Sequence, residues 1–144
     1  MKKILLSLFT LLLIGFALNC SAVPDKNPYL QRQWMLVSFD GFSKEQLIAN
    51  KAEVNLTAKM ENDKIQGNAY MGCNQMSFTT EFKKGGKVKI SQGVSTMKAC
   101  QNMELETSFQ KKFETMTKYK VEGHFLTLSD NNGNSMKFVA ADWD

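Results

Sequence analysis

Apolar and polar residues alternate along most of the chain after residue 33, which predicts β-strands. Residues 34–39 (WMLVSF) form a continuous apolar run that Asp40 and Gly41 close, a pattern typical of a buried strand that ends in a turn. Hairpins are favoured by polar turns such as Gly85-Gly86 between alternating runs. The other predicted strands are residues 54–60, 65–69, 76–82, 88–90, 119–121, 124–128 and 136–139.

One segment has helical periodicity instead. In residues 102–118, Leu105, Phe109, Phe113 and Met116 recur at i, i+4, i+8 and i+11, which places them on one stripe of a helix. Asn102 is a good N-cap, acidic residues follow it, and lysines lie toward the end, as the helix dipole favours. A shorter stretch, residues 43–51, is a second helical candidate.

Eight strands and one principal helix predict a mainly β domain. A single open antiparallel sheet of that size would leave two long unpaired edges that invite aggregation. We therefore expect a small antiparallel β-barrel of about eight strands with one α-helix packed at one end.

The beginning of the chain is typical of an export signal. Lys2 and Lys3 precede an apolar stretch that is too short for a spanning helix, so residues 1–22 are predicted to be a signal peptide. Residues 23–33 contain both prolines and no apolar period, and we interpret them as a tether before a domain at residues 34–144. Cys20 lies where a bacterial lipoprotein carries its acylated cysteine; the alternative is ordinary cleavage after Ala22. The predicted location is the outer membrane facing the periplasm, or, after such cleavage, the periplasm or the medium.

Composition and charge narrow the class of protein. The 144 residues are 43% apolar and 22% charged, which is ordinary for one globular domain. Removal of residues 1–22 would take two lysines and no acid from a net charge of +4, leaving about +2. The densest basic run, residues 81–89, surrounds the Gly85-Gly86 turn and is interpreted as a solvated hairpin tip. We therefore expect no nucleic-acid partner.

Two cysteines remain in the predicted domain, Cys73 and Cys100. An exported protein folds where disulfides are stable, so a structural cross-link is the leading interpretation. Closure of a loop of about 28 residues would stabilise the domain by roughly 3.6 kcal/mol in the chain-entropy model. Two reduced buried thiols, or a metal or redox site, are the alternatives.

Methionines around these cysteines raise the metal alternative. Met71 and Met76 flank Cys73, while Met97 and Met103 flank Cys100. Soft sulfur ligands select Cu(I), so the six residues could form a copper site if they converge. Methionine also fills irregular gaps in apolar cores, and we prefer that interpretation and expect no metal.

The chain offers little for catalysis. His124 is the only histidine, its sequence neighbours supply no partner, and the carboxylates are scattered among turns and helix ends. Residues 130–134 (DNNGN) resemble a calcium loop faintly but fit a hairpin turn better. We expect no enzyme activity, no catalytic residue and no cofactor.

Several short motifs together resemble a known family. They are WML at Trp34, GCN with Gly72 and Asn74 around Cys73, STMKAC with Ser95, Thr96 and Met97 before Cys100, ELETSFQKKF at residues 104–113 and YKVEGHFLTL at residues 119–128. This combination resembles the META domain of HslJ-type heat-shock lipoproteins. The resemblance implies a lipocalin-like barrel in a bacterial envelope protein associated with heat or envelope stress, and it supplies no catalytic residue or ligand.

Two functions remain open at this point. The leading hypothesis is a non-catalytic, stress-related envelope module that presents a surface to another envelope protein. The alternative is a binder of a small apolar ligand inside the barrel, as in lipocalins. We expect a monomer that contacts the membrane through a lipid anchor if Cys20 is acylated.

Overall fold

Nine strands and two helices form within residues 28–143, the part of the chain that the computed structural model describes. The predicted signal peptide, the lipidation candidate Cys20 and residues 23–27 of the tether lie outside the described residues. In chain order the elements are β1 (Gln33–Phe39), α1 (Lys44–Ala49), β2 (Glu53–Asn55), β3 (Met60–Glu61), β4 (Lys64–Tyr70), β5 (Gln75–Lys83), β6 (Lys87–Ser95), α2 (Glu104–Phe113), β7 (Lys118–Glu122), β8 (Phe125–Ser129) and β9 (Ser135–Ala140).

Eight of the strands form a closed antiparallel ring. Their order is β2, β1, β9, β8, β7, β6, β5 and β4, and β4 pairs back with β2 through the registers Glu53↔Tyr70 and Asn55↔Asn68. The two-residue β3 is a hairpin extension on β4. The prediction of a mainly β fold with a closed barrel of about eight strands is therefore confirmed.

Side chains fill the interior of the barrel. Along β4 and β5 buried and exposed residues alternate, as the period-two pattern of the sequence predicted. Trp34, Met136 and Phe138 are completely buried, and Phe78 and Ile90 pack into the same core. Bulky inward residues are the usual way in which a small barrel closes its centre.

The ring is weakest between β6 and β7. Only Lys87↔Lys118 pairs these two strands in register, and beyond that point the connection that contains α2 lies beside β6. The stripe of α2 faces inward: Phe109 and Phe113 stack at 4.6 Å between ring centroids, and Phe113 meets Phe78 edge-on at 4.9 Å. The predicted helix is thus confirmed in position, although it spans only Glu104–Phe113 and its N-cap is Met103 rather than the predicted Asn102.

A second helix, α1, forms at the weaker helical candidate, residues 43–51. Ser43 is its N-cap and accepts a hydrogen bond from the Gln46 backbone, while the Gln46 side chain accepts one from the Ser43 backbone N–H. This reciprocal capping box stabilises a six-residue helix that buries only Leu47. The structure therefore has two helices within the described residues, one more than the fold prediction counted.

The folded domain extends to the N-terminal side of Trp34. Leu30 is 3% exposed and belongs to the core, and its carbonyl oxygen accepts a hydrogen bond of 3.0 Å from the Trp34 indole nitrogen. Leu56 N donates to the Arg32 carbonyl at 2.9 Å. The last residues of the interpreted tether thus pack on the barrel.

Candidate functional site

The two cysteine motifs meet at one corner of the barrel. Cys73 and Cys100 form a disulfide with their Cα atoms 6.2 Å apart, which joins the β4–β5 corner to the segment before α2. The cross-link that the sequence predicted is confirmed. Cys73 is buried, whereas Cys100 lies at the surface.

Gly72 determines the backbone conformation of this corner. Gly72 has a φ of +106°, a backbone conformation that residues with a side chain rarely adopt. A Cβ atom at Gly72 would also collide with the Asn50 side chain. The backbone turn that directs Cys73 into the core therefore requires glycine at position 72.

Asn74 connects the two motifs through its side chain. Its Oδ1 accepts hydrogen bonds from Lys98 N at 2.7 Å and Thr96 Oγ1 at 2.8 Å. Its Nδ2 donates to Glu106 Oε1 at 2.9 Å and to the Lys98 carbonyl at 3.3 Å. The Asn74 side chain is fully buried, and all of its hydrogen-bonding capacity is used within the protein.

Glu106 is the acidic partner that the sequence analysis did not single out. Its two oxygens accept from Asn74 N at 2.7 Å and from Asn74 Nδ2 at 2.9 Å, and the residue is 3% exposed. It lies in the first turn of α2, where the helix dipole favours an anion. Its spacing of i, i+3 and i+7 with Phe109 and Phe113 is the signal that could have placed it on the inward face.

Thr96 completes the connection between β5 and the segment after β6. Its hydroxyl accepts from Gln75 N at 3.1 Å, and its own N–H donates to the Gln75 carbonyl at 3.0 Å. Ser95 pairs with Met76 in the strand register, and its hydroxyl donates to the Thr96 carbonyl. These bonds, the Asn74 contacts and the disulfide hold the backbone at residues 75, 96, 98 and 100.

The held backbone carries a continuous exposed stretch, residues 91–102, which we call the pinned segment. Val94 is 80% exposed and Met97 is 97% exposed. Most exposed apolar side chains on a surface are scattered singly, whereas these two lie three residues apart on one fixed segment. The candidate site therefore consists of a buried hydrogen-bond network and of the exposed apolar side chains on the segment that this network holds.

The six sulfur residues of the copper alternative do not share one environment. Both cysteines are consumed by the disulfide, so neither offers a thiolate in this state. Met71 and Met76 are buried in the core, while Met97 points to solvent. Within residues 28–143, no group of three or more His, Cys, Asp or Glu side chains could hold a metal ion.

His124 and the residues 130–134 have local structural contacts. The His124 ring stacks on the Trp143 indole with centroids 3.5 Å apart. Asp130 closes the β8–β9 turn by accepting hydrogen bonds from Asn132 N, Asn134 N and Asn134 Nδ2. The bond from the Asn134 side chain holds the pKa of Asp130 below its ordinary value of 3.8. The hairpin-turn interpretation of this stretch agrees with the geometry.

A small cavity lies beside α2 in the described part of the chain. A cavity of about 20 Å³ lies between α2 and the end of β6, lined by Phe78, Gln92, Phe109 and Phe113 among others. That volume is about the size of one water molecule. Every buried side-chain nitrogen and oxygen in residues 28–143 has a hydrogen-bond partner. In the same range, no helix has the length and apolarity that a membrane crossing would need.

Comparisons with known proteins agree with this description. The profile of the META domain family matches residues 28–143. Among solved structures, the chain is similar to the crystal structure of a DUF4847 family protein from Bacteroides vulgatus ATCC 8482, with a TM-score of 0.54 and 10% identity over 81% of this chain and 97% of that chain. At this identity the likeness concerns the fold alone. No curated protein matches the chain.

Proposed function

Since this chain belongs to the META domain family, we propose that it is an exported, non-catalytic envelope protein whose barrel holds the pinned segment rigidly for contact with another envelope protein. Export is supported by the signal-peptide pattern of residues 1–22, and contact with another protein is supported by the chemistry of the site. A role in heat or envelope stress is supported by the resemblance to HslJ-type proteins.

One observation carries the proposal. The polar groups of the family motifs form hydrogen bonds that hold the pinned segment, and the side chains on that segment include exposed apolar ones. Asn74, Thr96 and Glu106 bond to one another or to backbone, and the two cysteines bond to each other. A catalytic or ligand-binding group needs atoms that are free to meet a substrate. Val94 and Met97 instead present adaptable apolar surface, which favours contact with a protein.

The alternative, an apolar ligand inside the barrel, has less support. Trp34, Met136 and Phe138 occupy the centre with no exposed surface. Pockets that bury a drug-sized ligand have volumes of roughly 300–1,000 Å³. The cavity beside α2 is far smaller than that, at about 20 Å³.

The proposal is tested by photo-crosslinking in the host envelope. A photoreactive residue at position 97 is expected to give one discrete adduct, and a Val94→Asp substitution in the same chain is expected to abolish it. The matched control places the photoreactive residue at Ile48, an exposed apolar position on α1. Identical adduct patterns from positions 97 and 48, or an adduct from position 97 that survives Val94→Asp, would refute the proposal. The intact mass of the exported protein tests separately whether Cys20 carries lipid.

A further inference from the structure

Three lysines form a row across neighbouring strands on the outside of the barrel. Lys83 of β5 is directly opposite Lys87 of β6, and Lys87 is directly opposite Lys118 of β7. Adjacent strands are about 4.8 Å apart, and directly opposite residues share a face of the sheet. All three residues are exposed. The row is invisible in the sequence, because 31 positions separate Lys87 from Lys118.

Further lysines surround this row and form what we call the lysine face. The lysine face consists of Lys83, Lys84, Lys87, Lys89, Lys118 and Lys120. Two acids lie among them: Glu81 pairs with Lys83 at 3.3 Å, and Glu122 pairs with Lys120 at 2.7 Å. Among the described residues, no carboxylate lies within 4.0 Å of the ammonium group of Lys87 or Lys118. The centre of the face is therefore uncompensated positive charge.

This arrangement is unfavourable for the isolated protein. Like charges directly opposite each other on neighbouring strands destabilise a sheet. A bound anionic surface would remove that repulsion, so the row is better suited to a neutralised state than to a free one. Lysine ammonium groups are compact point charges on flexible stems, which suit a fluid array of anions better than one fixed anion.

The chain enters the domain at the same end of the barrel. Tyr29 and Leu30 line a surface groove with Gly86 of the β5–β6 turn and with Tyr119 and Lys120 of β7. Tyr29 is 68% exposed, and tyrosine is enriched where proteins meet the headgroup region of a bilayer. Only residues 21–27 separate Cys20 from the described chain, a distance of at most about 28 Å when fully extended.

We propose that the lysine face, together with Tyr29, is a membrane-facing surface that binds the anionic headgroups of phospholipids. This inference deepens the proposed function and rests on it, because it requires that the protein works at an envelope membrane. A basic surface beside the anchoring position adds electrostatic attraction to the anionic headgroups of a membrane. The lysine face supplies that attraction and leaves the pinned segment free for its protein partner.

The test measures vesicle binding without any acyl group. The chain from residue 23 onward is used, since the ring of strands closes within residues 28–143. Co-flotation is measured with vesicles of 30% phosphatidylglycerol in phosphatidylcholine, and with phosphatidylcholine alone. The test variant is Lys87→Gln with Lys118→Gln; the matched control, Lys44→Gln with Lys51→Gln, removes the same charge from two exposed positions at and after α1.

We expect binding to the anionic vesicles that weakens as salt is raised, and none to the neutral ones. The double substitution in the row should weaken binding roughly 10- to 30-fold, on the basis of about one kcal/mol per lysine at an anionic surface. The control pair should change it less than threefold. Three outcomes would overturn the inference. They are an equal loss of vesicle binding for the two pairs of substitutions, vesicle binding with no preference for anionic lipid, and binding to soluble polyglutamate but not to vesicles. Because the assay involves neither Cys20 nor the partner, its failure is distinguishable from failure of the proposed function.

Discussion

The buried side chain of Asn74 allows the sharpest test of how the corner is held together. Substitution Asn74→Ala removes the acceptor of the bonds from Lys98 N and Thr96 Oγ1, and the donor to Glu106 Oε1. The two neutral hydrogen bonds each contribute about 1 kcal/mol, and the bond to the carboxylate contributes about 1.5–3 kcal/mol. We expect a loss of about 3.5–5 kcal/mol in the free energy of unfolding.

That loss is a large share of the stability of a domain of this size, which is typically about 5–15 kcal/mol. Urea unfolding followed by the fluorescence of buried Trp34 measures it, with the slope on denaturant unchanged if only the native state is affected. Asn68→Ala is the matched control, since Asn68 is exposed on β4 and its substitution should change stability by less than about 0.5 kcal/mol.

A double-mutant cycle with Glu106→Ala isolates the pair itself. Each single variant leaves one buried polar partner unsatisfied, whereas the double variant removes both, so the two losses should not add. The expected coupling energy is about 1.5–3 kcal/mol. A loss below 1 kcal/mol for Asn74→Ala, or a coupling energy near zero, would refute the view that Asn74 and Glu106 hold the two motifs together.

The disulfide, the buried stripe of α2 and the β8–β9 turn can each be tested by substitution. Replacing both Cys73 and Cys100 by Ser should lower the free energy of unfolding by roughly 3.6 kcal/mol, and addition of a reductant should do the same to the wild type but leave the variant unchanged. Phe109→Ala should cost about 3–5 kcal/mol by leaving a cavity between Phe39 and Phe113, measured as a lower Tm, while Ile48→Ala should be nearly neutral. The lowered pKa of Asp130 contributes stability above pH 3.8, and this contribution is lost as the pH falls through the folded-state pKa. In acid titrations, the difference in the free energy of unfolding between wild type and Asn134→Ala should therefore shrink toward low pH. A difference that stays constant with pH would contradict this.

The features that could be predicted from the sequence are those that depend on local periodicity. Alternation in β4, β5 and β9 and the stripe of Leu105, Phe109 and Phe113 each report which side of an element is buried. A closed ring could be argued from the cost of unpaired edges, because eight short strands must pair somewhere. The short helix α1 was harder to predict, since six residues carry almost no period and only the capping box marks it.

Long-range pairings were the part that periodicity could not supply. The Asn74 amide and the Glu106 carboxylate are 32 positions apart, and neither residue type is usually buried. Their burial becomes favourable only when each satisfies the other, which is a property of the assembled corner rather than of either segment. The lysine row also depends on long-range pairing, because Lys87 and Lys118 are brought together by the single register pair between β6 and β7.

The corner around Asn74 and the lysine face give the barrel two surfaces that should bind partners by different physical interactions. At the corner, buried polar groups are fully paired, so the backbone of the pinned segment is held at residues 96, 98 and 100 before any partner arrives, which lowers the backbone entropy lost on binding. On the lysine face, the charges are exposed, and no carboxylate of the described residues pairs with the central Lys87 and Lys118, so binding there should be long-ranged, weak for each residue and sensitive to salt. If the lysine face lies against a bilayer, the weakly paired seam between β6 and β7 lies beside the membrane, and the anionic headgroups would stabilise the part of the ring with the fewest strand contacts.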